Sequence, residues 1–304
     1  MRLVSFFLLT SVSLGLTKPL VHDVAAKELP TWEIRSVSSD NSTAVPASNT
    51  ASSTLQDCLA AKNVPVYFIA SPGFSQLAQP YNLRLAYTPA VIVVPTLASQ
   101  VSDAVLCAAA SNVKVQAKSG GHSYASFSSG GKDGSMVINL QAYQDIVVDP
   151  QEYYAAKVGA GVRLGDMALS LYNQSQRALP HGTCPGVGVG GHATHGGYGY
   201  TSRAWGLTLD HVMGADVVLA NGSFIHVSAM EYPDIYYALR GAADSIGIII
   251  YFYFSTKPAP SSVVNWSYTI PGMYDSAAKS AAVFKKIQDF ALNPSIVDRK
   301  LAFG

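Results

Sequence analysis

Apolar residues along this chain recur with two different periods. Val64 to Ala70, Ala90 to Val94, Val113 to Ala117, Met136 to Leu140, Ile146 to Val148 and Ala155 to Val158 are short apolar runs bounded by turn residues, and they predict strands. Segments with helical spacing stand between them. Leu55 to Lys62 predicts a helix, as does Ala98 to Ser111 with Thr96 as candidate cap. Leu164, Met167, Ala168 and Leu171 share one face of a helix predicted over Leu164 to Gln174. Further along, Asp216 to Ala220 and Ser223 to Val227 flank Asn221-Gly222, the signature of a β-hairpin with a type I′ turn. Pro233 to Leu239 predicts a short helix, Ile246 to Thr256 a long buried strand, Val263 to Ile270 a strand and Asp275 to Leu292 a helix. Strands and helices alternate without a repeating βαβ unit, so the pattern predicts an α+β fold rather than a doubly wound sheet.

At the N-terminus the periodicity gives way. Arg2 precedes the apolar run Leu3 to Leu16, with small residues at Gly15 and Thr17, which reads as a secretory signal peptide over residues 1–17. The run is short for a membrane span, so no membrane partner is expected. Residues 18–54 read as a flexible leader, because Ser, Thr, Asn and Ala crowd Ser36 to Thr54 without an apolar period. Secretion permits disulfides, and Asn41, Asn173, Asn221 and Asn265 open glycosylation sequons. The chain has 304 residues, 49% of them hydrophobic, enough for a sizeable core and two domains. Charged residues make up 13%, the formal net charge is +1 and no basic cluster appears, which argues against nucleic acid as a partner.

Candidate chemistry concentrates in the glycine-rich stretch Ala178 to Gly199, which carries Cys184 among His181, His192 and His195. Such glycine density suits backbone running close against a bulky ligand. Gly186, Gly188 and Gly191 satisfy GxGxxG, but Gly196, Gly197 and Gly199 follow and disfavour the helix start that a dinucleotide fingerprint needs. Four nitrogen and sulfur donors would suit zinc, yet their spacing matches no common finger and no metal is assigned. Upstream, Lys118-Ser119-Gly120-Gly121-His122-Ser123-Tyr124 repeats the combination of glycine and histidine after a short strand.

Together, Gly-Gly-His-Ser-Tyr and His-Gly-Thr-Cys-Pro-x-Val-Gly-Val-Gly-Gly-His resemble the berberine-bridge-enzyme-like flavoproteins of the vanillyl-alcohol-oxidase/PCMH type, above all the secreted fungal oligosaccharide oxidases. The resemblance implies a PCMH-type FAD-binding domain of two α/β subdomains over residues 55–258. Residues 259–304 would then begin an antiparallel-sheet substrate domain, truncated relative to the family. It implies FAD attached twice, at His122 and Cys184. Ser119, Gly120, Gly121, Ser123, Tyr124, Thr183, Val187, Gly188, Gly191, His192, Gly197, Gly199 and Val227 would surround it. By the same resemblance the anomeric C1–OH of an oligosaccharide is oxidised to the lactone and O2 is reduced to H2O2. Val187 matches a position where valine accompanies oxygen reactivity, and Tyr124 one that lines the sugar site. The family's catalytic base, a tyrosine near the C-terminus with an acidic partner, has no counterpart identified among these residues. An oxidase of secondary metabolites and a non-catalytic flavin-binding remnant are the alternatives, and a monomer is expected.

The three cysteines add one expectation. A secreted chain with three leaves one unpaired. Cys58 with Cys107 is the expected pair, both on early helices, against any pairing that includes Cys184 or a fully reduced chain. Two places depart from the family pattern: the run Arg240 to Gly247, which brings charge toward the cofactor, and His195, where relatives carry a small or apolar residue.

Overall fold

A computed structural model describes residues 4–8, 54–151 and 153–303. Most of the expected signal peptide and nearly all of the expected leader lie outside the described residues; Val4–Leu8 is a strand set antiparallel between Val264–Tyr268 and Leu301–Phe303.

Four short strands build the first sheet, in the order Val66–Phe68, Val91–Val93, Met136–Asn139, Val115–Lys118. The first pair is antiparallel and the other two are parallel. Parallel strands need a crossover, and the helix Ala98–Ala110 carries the chain from Val91–Val93 past the position of Met136–Asn139 to Val115–Lys118. Val91, Val93, Met136 and Ile138 face the main core, while Ile92 and Val137 meet Phe74 of the helix Phe74–Ala78 on the other side. Burial on both faces is why this strand reads as an unbroken apolar run. The helix Leu55–Ala61 starts from a reciprocal cap, in which the Thr54 hydroxyl accepts from the Asp57 N–H and the Asp57 carboxylate accepts from the Thr54 N–H. Thr96 does not cap the next helix. Gln100 does, its Oε1 accepting from the N–H groups of Thr96 at 2.8 Å and Leu97 at 3.2 Å. Cys58 and Cys107 join these two helices through a disulfide, with Cα atoms 5.7 Å apart.

The second sheet is antiparallel throughout, in the order Phe224–Ser228, Val212–Leu219, Gly247–Ser255, Ala155–Gly159, Ile146–Asp149. Its inner face, with Val158, Ala215, Val227, Phe252 and Phe254, belongs to the same core as the first sheet. On the opposite face Asp216 bonds His226 Nδ1 at 2.7 Å and accepts from the Tyr253 hydroxyl at 2.8 Å. The hairpin at Asn221-Gly222 forms, but not with the type I′ turn expected. Only Gly222 has positive φ, +80°, because the Asn221 side chain accepts from the Ser223 N–H instead of entering the left-handed region. Gly222 N–H then reaches back to Leu219 O, giving a type I turn closed by a left-handed glycine. Leu164, Met167 and Leu171 are fully buried on the helix Leu164–Ser175, and Gln174 fastens that helix to the edge strand through Ile146 O and Val148 N–H.

Beyond the two-residue pairing of Lys257–Pro258 with Arg177–Ala178 the packing thins. The helix Ala277–Ala291, begun by a Ser276 cap on the Lys279 N–H, has no buried residue. No helix among the described residues is long and apolar enough to cross a membrane.

Candidate cofactor site

The strand Val115–Lys118 ends at the inner edge of the first sheet and delivers Ser119-Gly120-Gly121-His122 to the junction with the second. Lys118 itself turns away, donating from Nζ to Leu77 O at 2.8 Å, and burial followed by the charge of Arg163 holds its pKa below the usual lysine value. Ser119 is the fastener between the two sheets. Its hydroxyl donates to Ala160 O at 2.5 Å and accepts from the Gly190 N–H at 3.2 Å. One residue on, the two glycine motifs cross backbone to backbone. A Cβ placed on Gly120 would lie 2.3 Å from Gly188 N, and one on Gly188 would lie 2.0 Å from Gly120 N. Only glycine at both positions permits that approach.

The glycine-rich stretch is not loop throughout, as its composition suggested. Val189–Thr194 forms a short helix, with Val189 and Ala193 buried four residues apart as its anchor. Several glycines around it serve packing rather than a ligand: a Cβ at Gly199 would collide with His181 O, and one at Gly197, at φ +80°, with the Thr208 side chain. Gly191, by contrast, has open space where its Cβ would stand. The preceding turn is fixed on the helix Leu164–Ser175, whose first N–H groups donate to Val187 O and Pro185 O at 2.9 and 3.0 Å. Arg163 adds a 2.6 Å bond to Gly186 O.

Between the sheets lies a cleft of about 450 Å³, within the size range of cofactor sites. Ser119, Gly120, Gly121, His122, Ser123, Val187, Gly188, Gly191 and His192, all expected around the cofactor, line this cleft. Tyr124, Thr183, Cys184, Gly197, Gly199 and Val227 do not. Tyr124 is 74% exposed, Val227 is fully buried in the core, and Cys184 is an exposed free thiol on the turn leading to Val187. The apolar floor, Leu140, Ile249 and Phe252, comes from both sheets and could be assigned only once their pairing was known.

The histidines are engaged separately. His181 Nδ1 contacts Gly182 O, and His192 Nε2 accepts from the Gly182 N–H at 3.0 Å. Burial, with His181 as a second cause, pushes the His192 pKa down to about 4, so the ring is neutral at pH 7. His195 contacts Gly191 O through Nδ1 and faces Asp244 through Nε2 at 3.4 Å. The two departures from the family pattern therefore meet, and the charge that reaches the cleft is Asp244, since Arg240 folds over the Tyr236 ring. Among the described residues no three His, Cys, Asp or Glu side chains gather as a metal site.

One polar atom on this wall is unpaired. Ser128 Oγ is buried at the cleft without a hydrogen-bond partner, an arrangement that a hydroxyl-rich or phosphate-bearing ligand relieves. An apolar floor, a glycine-lined wall and an orphan hydroxyl fit a ligand that is part flat ring and part polar chain, as a flavin dinucleotide is.

Residues 89–228 match the model of the FAD binding domain family, a segment that contains both glycine motifs. The architecture is that of a PCMH-type FAD-binding domain. The homologues of this chain are fungal oligosaccharide oxidases and berberine-bridge-enzyme-like proteins. A xylooligosaccharide oxidase of Thermothelomyces thermophilus is 44% identical over 239 residues, which are 79% of this chain and 48% of that protein. Berberine bridge enzyme-like 12 of Arabidopsis thaliana is 37% identical over 60% of this chain and 35% of its own length. The solved glucooligosaccharide oxidase of Acremonium strictum, described as holding 6-S-cysteinyl, 8α-N1-histidyl FAD, superposes with a TM-score of 0.67 at 32% identity, covering 83% of this chain and 60% of that one. This chain spans about half the length of the curated relatives it matches.

Proposed function

We propose that this chain is the flavin-carrying part of a secreted oxidase that converts the anomeric C1 hydroxyl of oligosaccharides to the lactone, with O2 reduced to H2O2. The observation that carries the reading is the meeting of the two motifs at Gly120 and Gly188 on the wall of one cleft. When bound, the flavin supplies the acceptor for the sugar hydride and the site at which O2 takes up the electrons. The residues of this chain hold and surround it. His122 offers a ring nitrogen for attachment at the 8α position, and Cys184, the one cysteine outside the disulfide, offers its sulfur for attachment at C6. Val187 on the cleft wall governs the approach of oxygen, and Tyr124, exposed beside His122, presents its ring to a sugar face. Thr183, Gly197, Gly199 and Val227 act from outside the cleft by shaping the loop and the sheet behind it. Residues 55–258 are the flavin domain and 259–304 the opening of a substrate domain, preceded by a leader over 18–54 and a signal peptide over 1–17, whose removal takes the strand Val4–Leu8 with it.

Tryptic peptides of the flavin-loaded protein are expected to carry the cofactor mass on the His122 peptide and on the Cys184 peptide. Flavin on neither overturns the reading. A second reading, an oxidoreductase acting on a non-sugar molecule, stands beside it because an FAD-linked oxidoreductase of Metarhizium anisopliae, whose name specifies no sugar, is 44% identical over 77% of this chain. Peroxide release with xylo-, cello- or chitooligosaccharides separates the two.

A further inference from the structure

We propose that Tyr81, whose ring stacks on the His122 imidazole at a centroid distance of 3.8 Å, is a positioning residue that holds His122 for attachment to the flavin. The inference rests on the reading of His122 given above and adds a residue that neither motif contains.

Tyr81 comes from the segment between the helix Phe74–Ala78 and the strand Val91–Val93, not from an element that lines the cleft. Its ring lies within 28° of parallel to the imidazole. Tyr124, two residues beyond His122, stacks on Tyr81 in turn, with centroids 5.6 Å apart and planes 15° from parallel. The neighbouring Asn82 pins this segment to the first motif: its Nδ2 donates to Tyr124 O at 2.8 Å, and its Oδ1 accepts from the Arg84 N–H at 3.1 Å. Tyr81 is 49% exposed, so the contact buries too little surface for core packing to be its main effect. Among the described residues nothing hydrogen-bonds the His122 ring, which leaves the stack to fix its plane and both ring nitrogens unengaged.

Chemistry gives this a purpose. The nucleophilic lone pair of an imidazole lies in the ring plane, so a ring free to turn presents it to the acceptor carbon only part of the time, and fixing the plane raises the rate of bond formation. In the attachment, the His122 nitrogen forms a bond to the 8α carbon. One C–H bond of the methyl group and the imidazole N–H are broken, and the two electrons and two protons released reduce O2 to H2O2.

The test compares the full chain with Tyr81→Leu, which keeps apolar bulk but no flat ring, and with Tyr81→Phe, which keeps the ring. Three quantities are read: the flavin mass on the His122 peptide, the total flavin bound before denaturation, and the rate of His122 modification by diethylpyrocarbonate in flavin-free protein. The expected result is a His122 adduct that forms about tenfold more slowly in Tyr81→Leu, with total flavin unchanged, a faster modification rate, and Phe restoring wild-type values. Equal adduct formation in wild type and Tyr81→Leu, or failure of Phe to rescue, overturns the role of Tyr81 alone. A wild-type protein without flavin on His122 overturns the attachment reading, and this inference falls with it.

Discussion

His192 shows how a single side chain can tie an acid response to the architecture of the cleft. Its neutral ring accepts from the Gly182 N–H, a role that protonation abolishes. An unfolded histidine has a pKa of about 6.5, whereas burial and His181 push this one down to about 4. Between these values the unfolded chain takes up a proton that the folded protein excludes. The stabilisation is therefore complete above about pH 6.5 and is lost as the pH falls toward 4. Denaturation midpoints measured from pH 7 to pH 4 are expected to drop, and His192→Gln should flatten that part of the curve. Sequence brought this residue into view but could not assign its state, because the causes, burial in the folded cleft and then the nearby His181, exist only in the fold. The same holds for Asp244 and His195: each was visible as an oddity, and only folding sets them 3.4 Å apart.

Among the elements, those with several turns or a buried face were legible and the single-turn ones were not. The helix Leu164–Ser175 matches its predicted span to within a residue because three apolar positions define one stripe. Phe74–Ala78 and Val189–Thr194 are too short to show a period. The strand expected over Val64 to Ala70 shrinks to Val66–Phe68, where the Ser71 hydroxyl accepts from the Phe68 N–H and starts a turn. Cysteine counting suggested the link between the first two long helices, and in the fold it closes a loop with a sequence separation of 49. A cross-link of that span restricts the unfolded chain, so Cys58→Ser with Cys107→Ser is expected to lower stability by about 2 to 4 kcal/mol. Urea titration of the oxidised wild type beside the double variant measures it.

On the scale of the whole molecule, two sheets share one core and meet along the line where the glycine motifs cross. That line is the most sensitive place in the protein to a small addition of volume. Gly188→Ala would drive a methyl group to 2.0 Å from Gly120 N and 2.2 Å from Ser119 Oγ, with backbone on the receiving side. It is expected to cost about 3 kcal/mol or more and to abolish flavin retention. Gly191→Ala, which meets no atom within 4 Å, should keep or slightly raise stability. Denaturation midpoints and flavin absorbance of the two purified variants make the comparison.

Neither sheet owns this cleft; it comes into being only when one half of the domain has docked against the other. A covalent tether formed there would be a permanent record that the docking took place. The yellow colour of a flavin-loaded molecule would then certify its assembly history, and colourless chains would mark those that never completed it.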